Sequence, residues 1–509
     1  MALTSTSSKH LTGTATAVAI PAGIFFLTLL LRAFRLSDSY DIFVDEPFYV
    51  ALGKSVAQGH LPYATGSLFF LHPPGHSLLE AGWMHVTAIQ GGDAVETVFA
   101  MRYLTVAFAC ITSVLLYLFG CRLGGRFAGI TAASLFAISP WFVRQNSFVL
   151  LETCAMAFVM AGFLALMHLP SRGTRLRLLA LVGIGLAFGF GVLIKEFAVF
   201  VTVLPLAVLG WRRDARRTTD LSDPEPLRRW PIARAEAVMV IAVTCVPYVL
   251  WCVIVALTGN LSEFWNQTSS GLSRAAGSSQ TTGFNSPGAP SFVSTIMSNV
   301  TQFWTTYLTL AFGSIAILRL FLSPDRAMRL LGAFGIGAMP LLAYSATLGA
   351  NEEQFYYYLL IPAALALGVA ANAAWRAGGR LIRRTLLVVA IVWAASDMTN
   401  WVVLHTGQDN GVQQMDQWMR EHVAEGTTIG VTNSVQRDFL ERYNMVDDVS
   451  IGALDSARGA RYLVVFDRQV QQGYAFIGPD DLAEQVRHRP RVFSTYGRSN
   501  GEIDVYSLD

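Results

Sequence analysis

Charged side chains are scarce in this chain. Of its 509 residues only 14% are charged, whereas 53% are hydrophobic. A soluble globular domain carries about 25% charge, so the polar surface is too small to cover the chain in water, and the mean hydropathy of +0.44 agrees. This composition excludes a cytosolic enzyme, a disordered protein and a secreted disulfide scaffold, and it indicates a polytopic membrane protein. The formal net charge of +2 gives no reason to expect nucleic-acid binding.

Cysteine pairs and familiar catalytic motifs are missing too. The sequence has no CxxC spacing, and its cysteines all lie in apolar stretches, so we expect neither a disulfide framework nor a cysteine metal site. There is no P-loop, GxSxG or HExxH motif and no solenoid repeat. Lysine is rare as well, since Lys195 is one of only three in a chain that otherwise uses arginine.

Long apolar runs are what the sequence does contain. A helix needs about 20 apolar residues to cross a bilayer. We count eleven runs, at roughly 14–34, 98–120, 125–143, 147–168, 177–194, 196–211, 236–258, 296–320, 328–348, 355–375 and 385–405. The first is interpreted as a span and not as a cleaved signal peptide, because its start carries little charge and no small-residue cleavage site precedes Arg32.

Arginines in the short connections predict the orientation. Every even-numbered run leads into a basic segment, and the richest, 212–234, holds seven arginines. Basic loops stay on the cytoplasmic side. We therefore expect a multi-pass protein of the plasma membrane with a cytoplasmic N-terminus and with residues 406–509 outside.

Three segments should then face the outer compartment: the first loop, 35–97, a Ser/Gly-rich loop, 259–295, and the C-terminal segment, 406–509. The last combines a helical pattern (QQMDQWMREHVAEG) with strand-like runs (TTIGVT, RYLVVFD, EIDVYSL). The expected organisation is a membrane domain over 1–405 and a small extracytoplasmic α/β domain over 406–509.

The first loop opens with the acidic pair Asp45 and Glu46. Amphipathic spacing after Pro47 predicts a short surface helix with proline in its first turn. The pair would lie at the N-terminus of this helix, where the macrodipole favours negative charge. A capping role needs one acidic residue, so two beside a membrane exit favour a functional interpretation over simple capping.

Further along the same loop, His72-Pro-Pro-Gly-His76 forms a rigid motif. The prolines prevent a helix through the two histidines, which argues against a metal site with i, i+4 spacing. A stiff turn that shapes a cavity is the better interpretation, followed by a second surface helix from His76 to about Ile89.

Ionisable residues near the predicted outer ends of the spans are further candidates, because charge at membrane depth is costly and marks functional sites. Lys195 could bind phosphate or simply pair with Glu196, and these alternatives weigh evenly. Arg144 has a planar guanidinium suited to phosphate, and Arg102 lies just inside the second run. The tyrosines at 356–358 favour an aromatic belt over the mouth of a lipid groove.

Taken in order, these motifs resemble the GT-C-fold glycosyltransferases, the superfamily of protein O-mannosyltransferases and the lipid A aminoarabinose transferase. The likeness runs from about 30 to 375 and rests on motifs whose order and spacing match. They are Asp45-Glu46 with Tyr49, His72-Pro73-Pro74-Gly75, Arg102, Ser139-Pro140 with Arg144 and Glu152, Gly191 to Lys195, and Phe355 to Tyr358 with Pro362. Two departures are His72 before the prolines, where the family often has a basic residue, and Glu152, where an Asp is common.

The resemblance implies a GT-C-like membrane fold of about 11 helices and a sugar donor carried on polyprenyl phosphate. Asp45 would be the general base on an acceptor hydroxyl that attacks with inversion, and Glu46 or Glu152 would orient the acceptor. No metal or other cofactor is expected. The other implied contacts are with the donor phosphate for Arg144, Lys195 and Arg102, and with substrate for Tyr49, His72, Glu152 and Tyr357.

The sequence leaves two alternative functions beside the sugar transferase. A membrane transporter is disfavoured because no inverted repeat or matched pair of broken helices is present. An oligosaccharyl ligase of the cell envelope is the alternative within the enzyme class. The sugar and the acceptor, whether protein, polysaccharide or glycolipid, stay open.

Overall fold

The computed structural model describes residues 7–64, 66–89, 93–171, 174–211, 232–275, 292–347, 353–433, 436–440, 442–446, 459–471, 475 and 477–509. Within these ranges, fifteen α-helices precede the C-terminal segment. They are α1 Ser7–Ala33, α2 Asp45–Ala57, α3 Gly75–Thr87, α4 Ala94–Gly124, α5 Arg126–Ile138, α6 Pro140–Gln145, α7 Leu151–Leu166, α8 Arg175–Ile194, α9 Ala198–Trp211, α10 Arg234–Leu257, α11 Leu261–Ala275, α12 Phe292–Phe321, α13 Arg326–Thr347, α14 Tyr356–Ala377 and α15 Arg380–Thr406.

Each of the predicted apolar runs coincides with one of these helices. Among the described residues, seven helices are long and apolar enough to cross a membrane: α4, α8, α10, α12, α13, α14 and α15. Four shorter apolar helices lie in α1, α5, α7 and α9. Most of them contribute to one hydrophobic core. The chain is therefore a polytopic helical membrane protein.

The third run was predicted too long. We expected it to reach residue 143, but α5 ends at Ile138 and the short helix α6 follows separately. The reason is Pro140, because the residue before a proline avoids the helical region and Ser139 is indeed extended, with φ −60° and ψ 123°. Arg144 therefore lies on α6 and not at the end of a long span.

Both helices predicted in the first loop are present, and their place at the membrane surface stays a prediction. Helix α2 starts at Asp45, with both acidic residues in its first turn, and α3 starts at Gly75. A small hairpin of β1 Tyr63–Ala64 and β2 Ser67–Leu68 lies between them. The region 259–295 was predicted as a loop but contains α11, whose Phe264 is buried with Phe70 and Trp251. Residues 276–291 lie outside the described part.

The C-terminal segment folds as a mixed sheet with four helices in its described part. Its elements are α16 Gly411–His422, β3 Thr428–Val431, α17 Gln436–Phe439, β4 Asn444–Val446, β5 Tyr462–Phe466, α18 Asp467–Gln471, α19 Pro479–Val486, β6 Arg491–Gly497 and β7 Gly501–Ser507. The strand order is β4-β3-β5-β7-β6. Strand β3 pairs in parallel with β4 and β5, and β7 pairs antiparallel with β5 and β6. The three strand-like runs of the sequence correspond to β3, β5 and β7. We call α16 to β7 the C-terminal unit.

The C-terminal unit packs directly on the first loop. Ile42 and Val50 of the loop share one hydrophobic cluster with Val412, Met415 and Val464 of the unit. Helix α2 consequently lies in contact with both the helical bundle and the C-terminal unit. The start of α2 is thus held by residues that are remote in sequence.

Arginines lie at one set of helix ends. Helices α4 and α14 end near Arg122 and Arg376, and α5, α13 and α15 begin at Arg126, Arg326 and Arg380. These are the ends that the charge rule assigns to the cytoplasm. The basic segment 212–234 lies mostly outside the described residues, so the orientation stays a prediction.

Reporter fusions will test this orientation. Alkaline phosphatase fused after Asp509 should be active, whereas the same enzyme inserted after Gly379, in the exposed connection between α14 and α15, should be inactive. Green fluorescent protein at the same positions should give the inverse result. Phosphatase activity at Gly379 and not at Asp509 would reverse the orientation.

Candidate functional site

A buried ion pair lies at the start of α2. Glu46 and Arg102 are both 0% exposed. The guanidinium of Arg102 donates from Nε to Glu46 Oε1 at 2.8 Å and from Nη2 to Oε2 at 2.6 Å. The same carboxylate accepts from the backbone N–H of Phe43 at 2.7 Å and of Val149 at 2.8 Å. Both Glu46 oxygens are therefore fully occupied by groups of the protein.

Arg102 also binds the loop that leads into α2. Its Nη1 donates to the carbonyls of Leu36 at 3.1 Å and Tyr40 at 2.7 Å, and its Nη2 donates to that of Asp41 at 3.1 Å. The guanidinium is thus the centre around which residues 36–46 fold. Asp45, the half-buried first residue of α2, is adjacent in sequence to this pair.

Lys195 lies where α8 stops. Helix α8 ends at Ile194, and Lys195 is extended, with φ −145° and ψ 117°. Its ammonium is buried, 3.3 Å from His72 Nε2 and 3.9 Å from Glu152 Oε1. A tight charge-assisted contact would measure about 2.7–2.9 Å, so the Lys195–Glu152 pair is loose.

Glu196 completes this cluster through His72 and not by direct pairing with Lys195. Its Oε1 lies 3.2 Å from His72 Nδ1. Lysine can donate to Nε2 only if that nitrogen is unprotonated, which fits a ring with its proton on Nδ1, donated to Glu196. Burial opposes ionisation of Glu196, but the electrostatic interactions with His72 and Lys195 outweigh it and lower the pKa of this carboxyl to about 2. Glu196 was considered in the sequence only as a partner of Lys195.

A small pocket adjoins the cluster. Its walls include Tyr49, His72 and His76 together with Phe69 and the two prolines of the rigid motif. The ring centroid of Tyr49 lies 6.4 Å from that of His72 and 5.9 Å from that of His76. The prolines therefore shape a cavity, as the sequence indicated.

His76 and Glu80 form a buried pair beside this pocket, which His76 helps to line. The sequence had assigned neither residue a role in the site. Nδ1 of His76 lies 3.4 Å from Oε2 of Glu80. Burial raises the pKa of Glu80, and the interaction with His76 opposes the shift. The i, i+4 spacing on α3 is the signal that could have identified the pair.

The belt interpretation of the three tyrosines is wrong. Tyr356, Tyr357 and Tyr358 are at most 1% exposed, whereas belt residues face the membrane interface. The hydroxyl of Tyr357 donates to Asn146 Oδ1 at 2.7 Å. Tyr358 differs, since its buried hydroxyl makes no hydrogen bond within the described residues and interacts electrostatically with Glu152 and Glu196. The tyrosine that belongs to the Lys195 cluster is therefore Tyr358.

Arg144 lies on α6 and packs against α12. Its guanidinium is 5.9 Å from the ring centroid of Phe303, at the residue where α12 kinks, with φ −123° and ψ 22°. Ser139 and Thr306 are 3.2 Å apart between hydroxyl oxygens and join α6 to the same turn of α12. Arg144 also interacts electrostatically with Tyr40.

The site residues thus form three groups. Glu46 and Arg102 fix the start of α2, Lys195 lies with His72, Glu152 and Glu196, and Arg144 packs over the kink of α12. Across the described ranges, no three His, Cys, Asp or Glu side chains come together in a way that could hold a metal ion.

Comparisons with known proteins agree with this architecture. Residues 81–258 match the family model of dolichyl-phosphate-mannose-protein mannosyltransferase. No curated protein sequence matches the chain. The fold is similar to that of ArnT from Cupriavidus metallidurans bound to undecaprenyl phosphate, with 13% identity, a TM-score of 0.59 and 98% of each chain covered. It is also similar to the apo oligosaccharyltransferase of Archaeoglobus fulgidus, with 11% identity, a TM-score of 0.61, and 97% of this chain and 74% of that chain covered.

At such identities the two structures establish the fold alone, and the family model matches about a third of the chain. The match lies over 81–258, which includes Arg102, Arg144, Glu152 and Lys195. Residues 81–258 are therefore similar to the dolichyl-phosphate-mannose-protein mannosyltransferase family, and the chain shares its membrane fold with ArnT.

Proposed function

We propose that this protein transfers a sugar from a polyprenyl monophosphate to an acceptor hydroxyl at the outer face of the membrane. The observation that carries the proposal is the Lys195 cluster. A buried ammonium lies 3.9 Å from Glu152, too far for a tight pair, and it shares this cluster with Tyr358, whose buried hydroxyl has no partner in the described chain. A phosphate oxygen is a strong acceptor, which the Tyr358 hydroxyl lacks within the described residues and which the ammonium in the same cluster also attracts.

The Lys195 cluster holds one ammonium and two carboxylates, so a monophosphate bound there needs a second cation. Lys195 faces Glu152 and, through His72, Glu196. A phosphate that approaches Lys195 replaces the loose contact with Glu152, while the hydrogen bond from His72 keeps Glu196 in place. Arg144, on α6, is the second candidate cation for the phosphate.

In the proposed reaction Asp45 accepts the proton of the acceptor hydroxyl. The hydroxyl oxygen forms a bond to the anomeric carbon with inversion, and the bond from that carbon to the phosphate oxygen breaks. The electron pair leaves with the lipid phosphate, and Lys195 stabilises the charge that develops there. Such stabilisation in a water-poor site is worth far more than in water.

Glu46 and Arg102 take a different role in this proposal from the one that the sequence suggested. All N–H groups of Arg102 are directed to Glu46 and to backbone carbonyls. Binding phosphate or acceptor would require dismantling this pair. We therefore assign them to holding the start of α2, so that Asp45 is presented in one position.

The oligosaccharyl alternative is the less supported one. Fold similarity does not separate it, because the TM-scores are 0.59 to ArnT and 0.61 to the oligosaccharyltransferase. The family model favours transfer of a single sugar from a phosphate carrier. Mass spectrometry of lipids that copurify with the protein will identify the carrier and separate the alternatives.

Asp45→Asn should abolish transfer, because the amide cannot accept the proton. We expect the initial rate to fall by about 10²–10⁴, the usual contribution of a general base. The measurement is transfer from purified polyprenyl-phosphate sugar in detergent. Asp38→Asn is the matched control, since Asp38 belongs to the same loop and pairs with Arg35 at 3.6 Å. A rate within twofold of wild type in Asp45→Asn would remove Asp45 as the base.

Lys195→Met should remove the charge that holds the donor phosphate. Loss of one such contact costs about 10²–10³ in rate, and binding of polyprenyl phosphate should weaken in parallel. Lys54→Met carries the same substitution in α2 and should behave as wild type. If Lys195→Met bound the lipid phosphate with normal affinity, the phosphate assignment would be incorrect.

The two adjacent tyrosines should respond in opposite ways. Tyr358→Phe should lower kcat/KM for the donor by about 10-fold or more, as expected for a lost hydrogen bond to a charged group, with the unfolding temperature unchanged. Tyr357→Phe should keep donor use but lower stability by about 1–3 kcal/mol, because Asn146 loses its buried partner. Equal effects on donor use in both variants would contradict the assignment of Tyr358.

A further inference from the structure

The side chain of Asp41 joins the first loop to the C-terminal unit. It is 1% exposed, and its Oδ1 accepts from the backbone N–H of Val412 at 2.9 Å. Its Oδ2 accepts from Asn500 Nδ2 at 2.7 Å. Val412 lies in the first turn of α16, where backbone N–H groups lack partners within the helix. Asp41 therefore caps a helix that begins about 370 residues later, across the interface.

The fit around this carboxylate is close. A Cβ added to Gly497 would overlap the carboxylate of Asp41, so only glycine permits the approach. Asn500 also donates from Nδ2 to the carbonyl of Ile42 at 2.8 Å. The C-terminal unit therefore donates hydrogen bonds to two consecutive residues of the first loop, Asp41 and Ile42.

The contacts of Asp41 fit an ionised carboxylate, because both of its oxygens accept hydrogen bonds from N–H donors. Burial raises its pKa to about 6, and the hydrogen bonds from Val412 and Asn500 oppose the shift. A negative charge at the start of α16 also interacts favourably with the helix dipole. The contact is therefore a charged one under the conditions of an ordinary enzyme assay.

The backbone of the same residue faces the other way, toward the helical bundle. Its carbonyl accepts from Arg102 Nη2 at 3.1 Å, and the N–H of Phe43 donates to Glu46 at 2.7 Å. The residues immediately before α2 are thus held by the C-terminal unit on one side and by the Glu46–Arg102 pair on the other. Asp45, the first residue of α2, comes two residues after Phe43.

We propose that Asp41 is a positioning residue for the transfer reaction, and that through it the C-terminal unit sets the position of Asp45. The inference rests on the proposed role of Asp45 as the base. The C-terminal unit then completes the site without touching the substrate. A displacement of about 1 Å at a reacting group can cost about 10²-fold in rate, so a small shift at residue 41 is sufficient to reduce turnover.

A second attachment provides the control. Asp93, at the other end of the first loop, pairs with Arg420 of α16 and, at 3.5 Å, with Arg442. Asp93 also caps α4 through the N–H of Val95 at 2.8 Å. Arg420→Gln loosens this contact of the C-terminal unit while leaving the α4 cap and the start of α2 intact.

The experiment compares Asp41→Asn with Arg420→Gln in the full-length protein. The asparagine side chain has one acceptor atom and one donor group. Its NH₂ group must therefore face one of two donors, Asn500 Nδ2 or the N–H of Val412, and the hydrogen bond on that side is lost. We expect kcat of Asp41→Asn to fall by about 10–100-fold, with KM for the donor within twofold. Arg420→Gln should keep kcat within twofold at a similar loss of thermal stability. Asp41→Asn combined with Asn500→Asp exchanges donor and acceptor and should recover part of kcat.

Four outcomes would overturn the inference. If both single variants lost kcat in proportion to their loss of thermal stability, Asp41 would be structural only. If Asp41→Asn raised KM for the donor and kept kcat, it would act on binding and not on the base. Asp45→Asn is assayed in parallel. If Asp45→Asn is active, the proposed base and this inference are both wrong. If Asp45→Asn is inactive and Asp41→Asn has a normal kcat, only this inference is wrong.

Discussion

The ion pair between Glu46 and Arg102 is the interaction on which the arrangement of this protein depends. Both side chains are fully buried, and removal of one partner of such a pair leaves an uncompensated charge, which costs about 3–5 kcal/mol. The pair orders residues 36–46, a segment with little regular structure, by satisfying its carbonyls and the N–H of Phe43. A loop is thereby made rigid enough to present a carboxylate at the start of α2.

The second group, around Lys195, has a different character. Its contacts are longer, 3.3 Å to His72 and 3.9 Å to Glu152, and it includes a tyrosine hydroxyl that has no partner in the described chain. A tight pair serves structure, whereas longer contacts in a buried site are more easily exchanged for contacts with a ligand. The chain thus separates the charges that build the site from those that would meet the substrate.

The C-terminal unit extends this division. It covers the first loop with apolar contacts and reaches the start of α2 through Asp41. ArnT and an oligosaccharyltransferase both share this fold, and fold alone does not determine chemistry. Differences in donor and acceptor must therefore arise in the loops and in what packs on them, which is where this chain places its buried polar contacts.

The sequence alone determined the apolar helices of the bundle, the helices α2 and α3 of the first loop, and three of the five strands of the C-terminal sheet, because hydrophobic periodicity and proline act locally. It also identified Lys195 and the Asp45–Glu46 pair as unusual. Only the tertiary structure decided which charges are paired with each other. Arg102 was expected at the phosphate but is directed to Glu46, and Tyr357 was expected at the substrate although Tyr358 is the one in the Lys195 cluster. Neighbouring residues of a helix point about 100° apart, and which direction meets a partner depends on elements that are distant in the chain.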